Sequence, residues 1–255
     1  MKKSSLKVLI SLGALSLHSA YLDEESLAII VPELSISGQR SLLYHLKRSF
    51  LVEQFRPAKG VKSLRITTGG MRVLKAEFPA LFPESGKRAG WHCMVFVKPP
   101  KNDPAFRYLR SQVLADGGIS LTRGVYFKQA PFSAKLMLVC DKLYAQAVSV
   151  FTVDSWTFGF DSLYLAKLQG TDAQFSLLSG VSSEITQLLN KINKDNIAQN
   201  QQKRLIEGLL QRYFSITLNY PYFSSNEFSQ DISAETVFLQ VGEVLKLLGR
   251  NVESK

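Results

Sequence analysis

Nine side chains between positions 37 and 62 carry the densest chemistry in this sequence: Ser37, Arg40, Ser41, Tyr44, Lys47 and Arg48, then Arg56, Lys59 and Lys62. Guanidinium forks engage guanine edges bidentately, while lysine and hydroxyl groups mostly fix register on phosphates. Spacing decides whether such groups can act together. In SGQRSLLYHLKRSF, Leu42, Leu43, Leu46 and Phe50 recur at steps of three, four and seven, which is one face of an α-helix. At 100° per residue the first six polar groups turn to the opposite face. The remaining three cations follow on a hairpin. LVEQF and KSLRI alternate over 51–55 and 62–66, and Pro57 and Gly60 mark the turn between them.

The elements that must position this surface can be read on either side. Residues 67–78 form a helix with Thr67 or Thr68 as N-cap, ending before Pro79. Upstream, 4–17 and 23–30 read as helices, with Asp23 and Glu24 suited to the positive end of the second and Pro32 closing it. Ser35-Ile-Ser-Gly38 is then the turn into the recognition helix at 38–50. Helix, basic hairpin and capped helix are the order of a winged helix-turn-helix, whose second helix enters a DNA major groove.

Residues 1–20 allow a rival reading. Two lysines, an apolar run and a small residue at Ala20 are features of a secretory signal. Ser11, Gly13 and Ser16 interrupt that run, and His18 stands where a signal peptidase takes a small residue. Leu6, Leu9, Leu12 and Leu15 recur at helical spacing. A first helix in a cytoplasmic protein is the expectation, and an exported protein is the alternative. No stretch approaches the ~20 apolar residues of a membrane-spanning helix, so no membrane partner is expected.

The whole chain of 255 residues has 45% hydrophobic and 20% charged content, the balance of a folded soluble protein. Its net charge of +10 favours a polyanionic partner. The excess is uneven: up to Arg88, 14 lysines and arginines face 7 acids. Any one of these lysines is ordinarily a solvated surface group. Their clustering on one helix and its hairpin points to double-stranded DNA.

Cys93 and Cys140 lie inside apolar runs and lack the paired spacing of a zinc site, so both are expected as buried free thiols in a reducing compartment. His18, His45 and His92 share no motif. Asp154 and Asp161 bracket an aromatic strand, where turn and cap roles outweigh a carboxylate pair. No phosphate-cradling GxxxxGK loop or dinucleotide fingerprint occurs, and no cofactor or metal is called for.

A second pattern begins after the linker-like run 82–90. WHCMVFVK is a near-continuous apolar strand, and 104–115 is a helix with Phe106, Leu109 and Val113 inward. ISLTRGVYF is a strand interrupted at Arg123-Gly124, by a bulge or by a break into two strands. Residues 131–145 are helical, and 147–160 is strand again. That order is the ferredoxin-like split βαβ arrangement. From Asp161 the pattern is helical, with apolar stripes over 175–192, 202–214 and 234–248. The aromatic run at Tyr220, Tyr222 and Phe223 reads as a loop packed on the core, or as the lining of an effector pocket. The expected class is therefore α+β in three parts: a winged helix-turn-helix over 1–85, a ferredoxin-like βαββαβ domain over 90–162 and a helical domain over 163–255.

Trp91 opening an apolar strand, Pro99 after it, Arg107 and Arg110 on the next helix, and Gly124-Val125-Tyr126 together resemble the central domain of PaaX-type transcriptional repressors. That domain is itself similar to the small CRISPR-associated endonuclease of the spacer-integration complex. The resemblance extends to the order winged helix, ferredoxin-like domain, helical tail. It implies a DNA-binding repressor that works as a homodimer and is relieved by a small-molecule effector, often an acyl-CoA thioester. The metal-dependent endonucleases place an aspartate at the end of the first strand. Here that place is Val97, which cannot ligate a hard cation, and Lys98 beside it adds a competing charge. A nuclease recruiting Asp103, Asp116 or Asp154 is the enzymatic alternative, and a non-enzymatic regulator is the expectation.

Overall fold

The computed structural model describes residues 1–57, 61–82, 90–97, 104–129, 131–159, 161–168, 170–194, 197–219 and 232–249. Among them the fold is mixed α+β, with two small antiparallel sheets. The first helix, α1 (Lys3–Ser16), is buried on nearly every side. Val8, Leu9, Ile10, Leu12, Ala14 and Leu15 are all at most 1% exposed. A helix apolar all round belongs in the middle of a core.

The expected second helix over 23–30 is shorter in the structure. Leu22 and Asp23 form a two-residue strand, β1, opposite Leu64 and Ser63. A 3₁₀ turn at Glu24–Ser26 follows, and only Leu27–Ile30 is α-helical, as α2. Pairing satisfies the backbone of 22–23 and buries Leu22 against the core, which outweighs local helix preference. Next come α3 (Ile36–Arg48), β2 (Val52–Phe55), β3 (Ser63–Ile66) and α4 (Thr68–Glu77). The strands lie in the order β1-β3-β2, with Glu53 opposite Arg65 and Gln54 opposite Leu64.

The chain then builds a second sheet from β4 (Trp91–Phe96), β5 (Ile119–Thr122), β6 (Val125–Lys128) and β7 (Val148–Val153), in the order β5-β6-β4-β7. The interrupted segment resolves into both alternatives. Gly124, at a φ of 84°, turns β5 into β6, and the register also slips between Ser120 and Thr122. Two helices, α5 (Pro104–Ala115) and α6 (Ala134–Tyr144), cover one face, where Met94, Phe96 and Tyr126 meet Phe106, Leu109, Val113, Leu136 and Cys140. The other face gathers Trp91, Cys93 and Phe127 around Leu165 of α7 (Ser162–Leu168). The period-2 alternation of β4 sends its side chains to these two cores in turn.

Three long helices complete the described chain: α8 (Thr171–Lys194), α9 (Gln199–Asn219) and α10 (Ala234–Gly249). They do not form a core of their own. Ile185 of α8, Tyr213 and Phe214 of α9, and Phe238 and Val241 of α10 join α1 to α4 in one continuous cluster. Described residues of 1–83 and 174–255 thus make one compact unit, and those of 84–173 a second. No helix among the described residues is long and apolar enough to cross a membrane.

Candidate nucleic-acid interface

Helix α3 starts at a defined cap, where Ser35 Oγ accepts from the backbone N–H of Gly38 at 3.2 Å. Leu42, Leu43 and Leu46 enter the core and fix the rotation of the helix. That rotation leaves Ser37, Arg40, Ser41, Tyr44, Lys47 and Arg48 all exposed. Ser37 Oγ lies 3.0 Å from Ser35 Oγ, and the Tyr44 ring meets His45 edge-on at 5.8 Å. The helix carries no acidic residue. Phe50, expected on its apolar face, is instead beyond the helix end at a φ of 55° and 81% exposed. The apolar period stops mattering once the helical backbone stops.

The cations differ in their surroundings. Lys47 Nζ donates to Gln54 Oε1 of β2 at 2.7 Å, and Gln54 in turn donates to Glu24. This chain ties the last turn of α3 to the hairpin and to the start of the 3₁₀ turn. Arg40, Arg48, Arg56 and Lys62 are exposed and make no ion pair among the described residues. Lys59 lies outside the described residues. Across the hairpin Arg65 pairs with Glu53 and sits 5.1 Å over the Phe55 ring, a cation that the charge pattern alone did not single out.

A groove runs beside this face, lined by Leu27, Ile36, Arg40, Leu43 and Lys62 and by the carboxylates of Glu24 and Glu25. Sequence reasoning missed it. The two acids read as helix-start residues, and only the return of the hairpin brings Lys62 next to them: Glu24 N–H donates to the Lys62 carbonyl at 3.0 Å. The two acids thus share this groove with Arg40 and Lys62.

Other candidate residues take structural positions. His18 Nδ1 is 3.0 Å from Glu243 and its Nε2 is 2.9 Å from the Leu239 carbonyl, so it clamps the end of α1 to α10. His92 is half-buried with Nδ1 3.3 Å from Thr152 Oγ1, and burial together with the Lys128 charge holds its pKa below the ordinary value. Burial also raises both thiols, that of Cys93 to about 11, and both are free and buried. Asp161 accepts from the Tyr164 N–H at 2.9 Å, the cap role expected of it, and Asp154 is exposed. Asp116 accepts from Lys128 Nζ and Ser133 N–H, each at 2.9 Å, which commits it to joining α5, β6 and α6. Val97 directly follows β4 and is exposed. Lys98, Pro99, Asp103, Tyr220, Tyr222 and Phe223 lie outside the described residues.

No family model matches the chain, and no curated protein does. Among solved structures it is similar to the uncharacterized protein Rv0674 from Mycobacterium tuberculosis. The two are 15% identical over 95% of this chain and 94% of that one, with a TM-score of 0.39. A likeness of that degree bears on neither site nor activity.

Proposed function

We propose that the chain is a sequence-specific, non-enzymatic DNA-binding transcriptional regulator, a cytoplasmic repressor of PaaX-like type that acts as a homodimer under a small-molecule effector. The observation that carries this reading is the exposed, acid-free face of α3, with Arg40 and Arg48 unpaired among the described residues and a basic hairpin next to it. Arginine in that setting suits bidentate base contacts, and Ser37, Ser41 and Lys47 suit phosphates. The element order α1-β1-α2-α3-β2-β3 with the sheet order β1-β3-β2 supports a winged helix. Likewise β4-α5-β5-β6-α6-β7, with β4 and β6 central, supports the ferredoxin-like reading. A dimer follows from specificity, because one recognition helix reads only a few base pairs and two half-sites multiply discrimination.

The test pairs Arg40→Ala with Arg48→Ala in the full chain and titrates duplex DNA recovered by selection from a random library. Affinity and base discrimination are expected to fall, and Lys47→Ala, which removes a phosphate contact, is expected to lower the slope of log affinity against log salt by about 0.9. Unchanged affinity and slope would reject α3 as the reading element. A dimeric mass in solution is expected alongside, and a monomer on operator-length DNA would reject the two-half-site arrangement.

A further inference from the structure

Between the first turns of α5 and the β5–β6 hairpin lies a cleft of about 490 Å³, within the range of small-molecule sites. The face of the second sheet that packs on helices is apolar on β4 and β6, but β5 departs from that pattern. Ile119 and Leu121 pack in the opposite core, while Ser120, opposite Tyr126, and Thr122 line the cleft, where hydroxyls replace packing side chains. Arg107 and Arg110, one helical turn apart on α5, line the same cleft. Arg123 comes from the hairpin turn and stacks over the Phe106 ring at 5.6 Å. At the base, the Tyr126 phenol is within hydrogen-bonding reach of Ser120 and Arg110 although the residue is only 1% exposed.

We infer that this cleft binds the phosphate group of a small phosphorylated ligand, held by Arg107, Arg110 and the Ser120, Thr122 and Tyr126 hydroxyls. Two guanidiniums one helical turn apart carry charged N–H donors suited to an anionic group, and the hydroxyls line the same cleft. Burial keeps the Tyr126 phenol above its ordinary pKa against the nearby Arg110 and Arg123 charges, so it stays protonated and able to donate. The inference is independent of DNA binding by α3.

Pyrophosphate is the probe, titrated calorimetrically into the full chain at 0.15 M salt. One saturable site is expected. Arg107→Gln with Arg110→Gln should weaken it by about tenfold or more, the loss of charge-assisted bonds. Both positions are exposed, and an unchanged melting midpoint certifies that this variant folds. Tyr126→Phe keeps the buried ring and should weaken binding severalfold. Arg40→Ala with Arg48→Ala should leave pyrophosphate affinity unchanged, so a failure of the DNA reading registers separately. The inference is overturned if wild type shows no saturable site, or if the Arg107/Arg110 variant binds as tightly as wild type. It is equally overturned if that variant loses duplex DNA while neither protein binds pyrophosphate, since the cleft would then hold a polynucleotide backbone.

Discussion

Phe50 closes α3 in a conformation that favours glycine, with a φ of 55° and its ring almost fully in solvent. The turn is held from both sides: Phe50 N–H donates to the Lys47 carbonyl, Leu51 N–H to the Leu46 carbonyl, and Thr67 Oγ1 to the Phe50 carbonyl at 2.6 Å. The same Thr67 oxygen caps α4 by accepting from Gly70 N–H at 3.0 Å, which decides between the two threonines the sequence offered. Two substitutions test this joint. Phe50→Gly relieves about 1 kcal/mol of left-handed strain and loses little packing, though glycine's freedom in the unfolded chain takes part of that back. A urea melt should show no loss and a gain of up to about 1 kcal/mol. Gly70→Ala would place its Cβ 2.1 Å from the Leu51 carbonyl oxygen, a backbone atom that cannot step aside, so it should destabilise by about 1–3 kcal/mol. The cap was legible because Thr-Thr-Gly-Gly is a helix-start signal. Phe50 was not, because its spacing fits the Leu43–Leu46 stripe and no glycine marks the turn.

At the scale of elements, α1, the α2–α3 turn and α9 are joined by one polar network. Lys7 Nζ donates to Glu33 Oε1 at 3.1 Å and to Gln211 Oε1 at 2.7 Å. Gln211 in turn donates to the Ile29 and Ile30 carbonyls at the end of α2. Burial pushes the Glu33 carboxyl up, but backbone and side-chain hydrogen bonds and the Lys7 charge pull it further down, so it titrates below its ordinary value of 4.5. The unfolded chain therefore takes up that proton first as pH falls. Glu33's contribution is full above the unfolded value and disappears as pH drops through the folded one. Glu33→Gln should flatten the loss of stability between about pH 5 and pH 3, with the difference from wild type shrinking toward the acid end. Parallel curves would remove the network from the account. Helix periods announced α3, α5 and α10 well, since their apolar stripes meet one core each. A two-residue strand such as β1 has no period to read, and long-range donors such as Gln211 leave no local mark. Part of the basic character of α3 also has a plain structural cause, because His45, Lys47 and Arg48 complement the negative end of the helix.

The first compact unit is assembled from both ends of the chain, and this is where local patterns carry least information. Gly13 of α1 lets Leu74 of α4 and Phe238 of α10 converge, for a Cβ there would lie 2.3 Å from Leu74 Cδ2 and 3.4 Å from Phe238 Cζ. Phe238 also meets Phe82 edge-on at 5.2 Å, and Gly242 leaves the room that His18 occupies. Changes of pattern near 85 and 163 are real in the sequence, yet the core of the N-terminal region is completed by helices lying beyond them. Amphipathic stripes say that a helix needs a partner, not which one. Phe238→Ala in the full chain should therefore cost about 3–5 kcal/mol, the scale of a buried aromatic deletion, although it lies some 190 residues from α3. A stronger consequence concerns fragments. Residues 1–85 alone would leave Leu9, Leu12 and Leu15 without the α9 and α10 side chains that share their core, and should show neither a cooperative melt nor dispersed amide resonances. Residues 88–170 keep both of their own hydrophobic clusters and should melt cooperatively. If the 1–85 fragment instead folds and binds duplex DNA with the salt slope of the full chain, the C-terminal helices are not needed to hold α3 in shape.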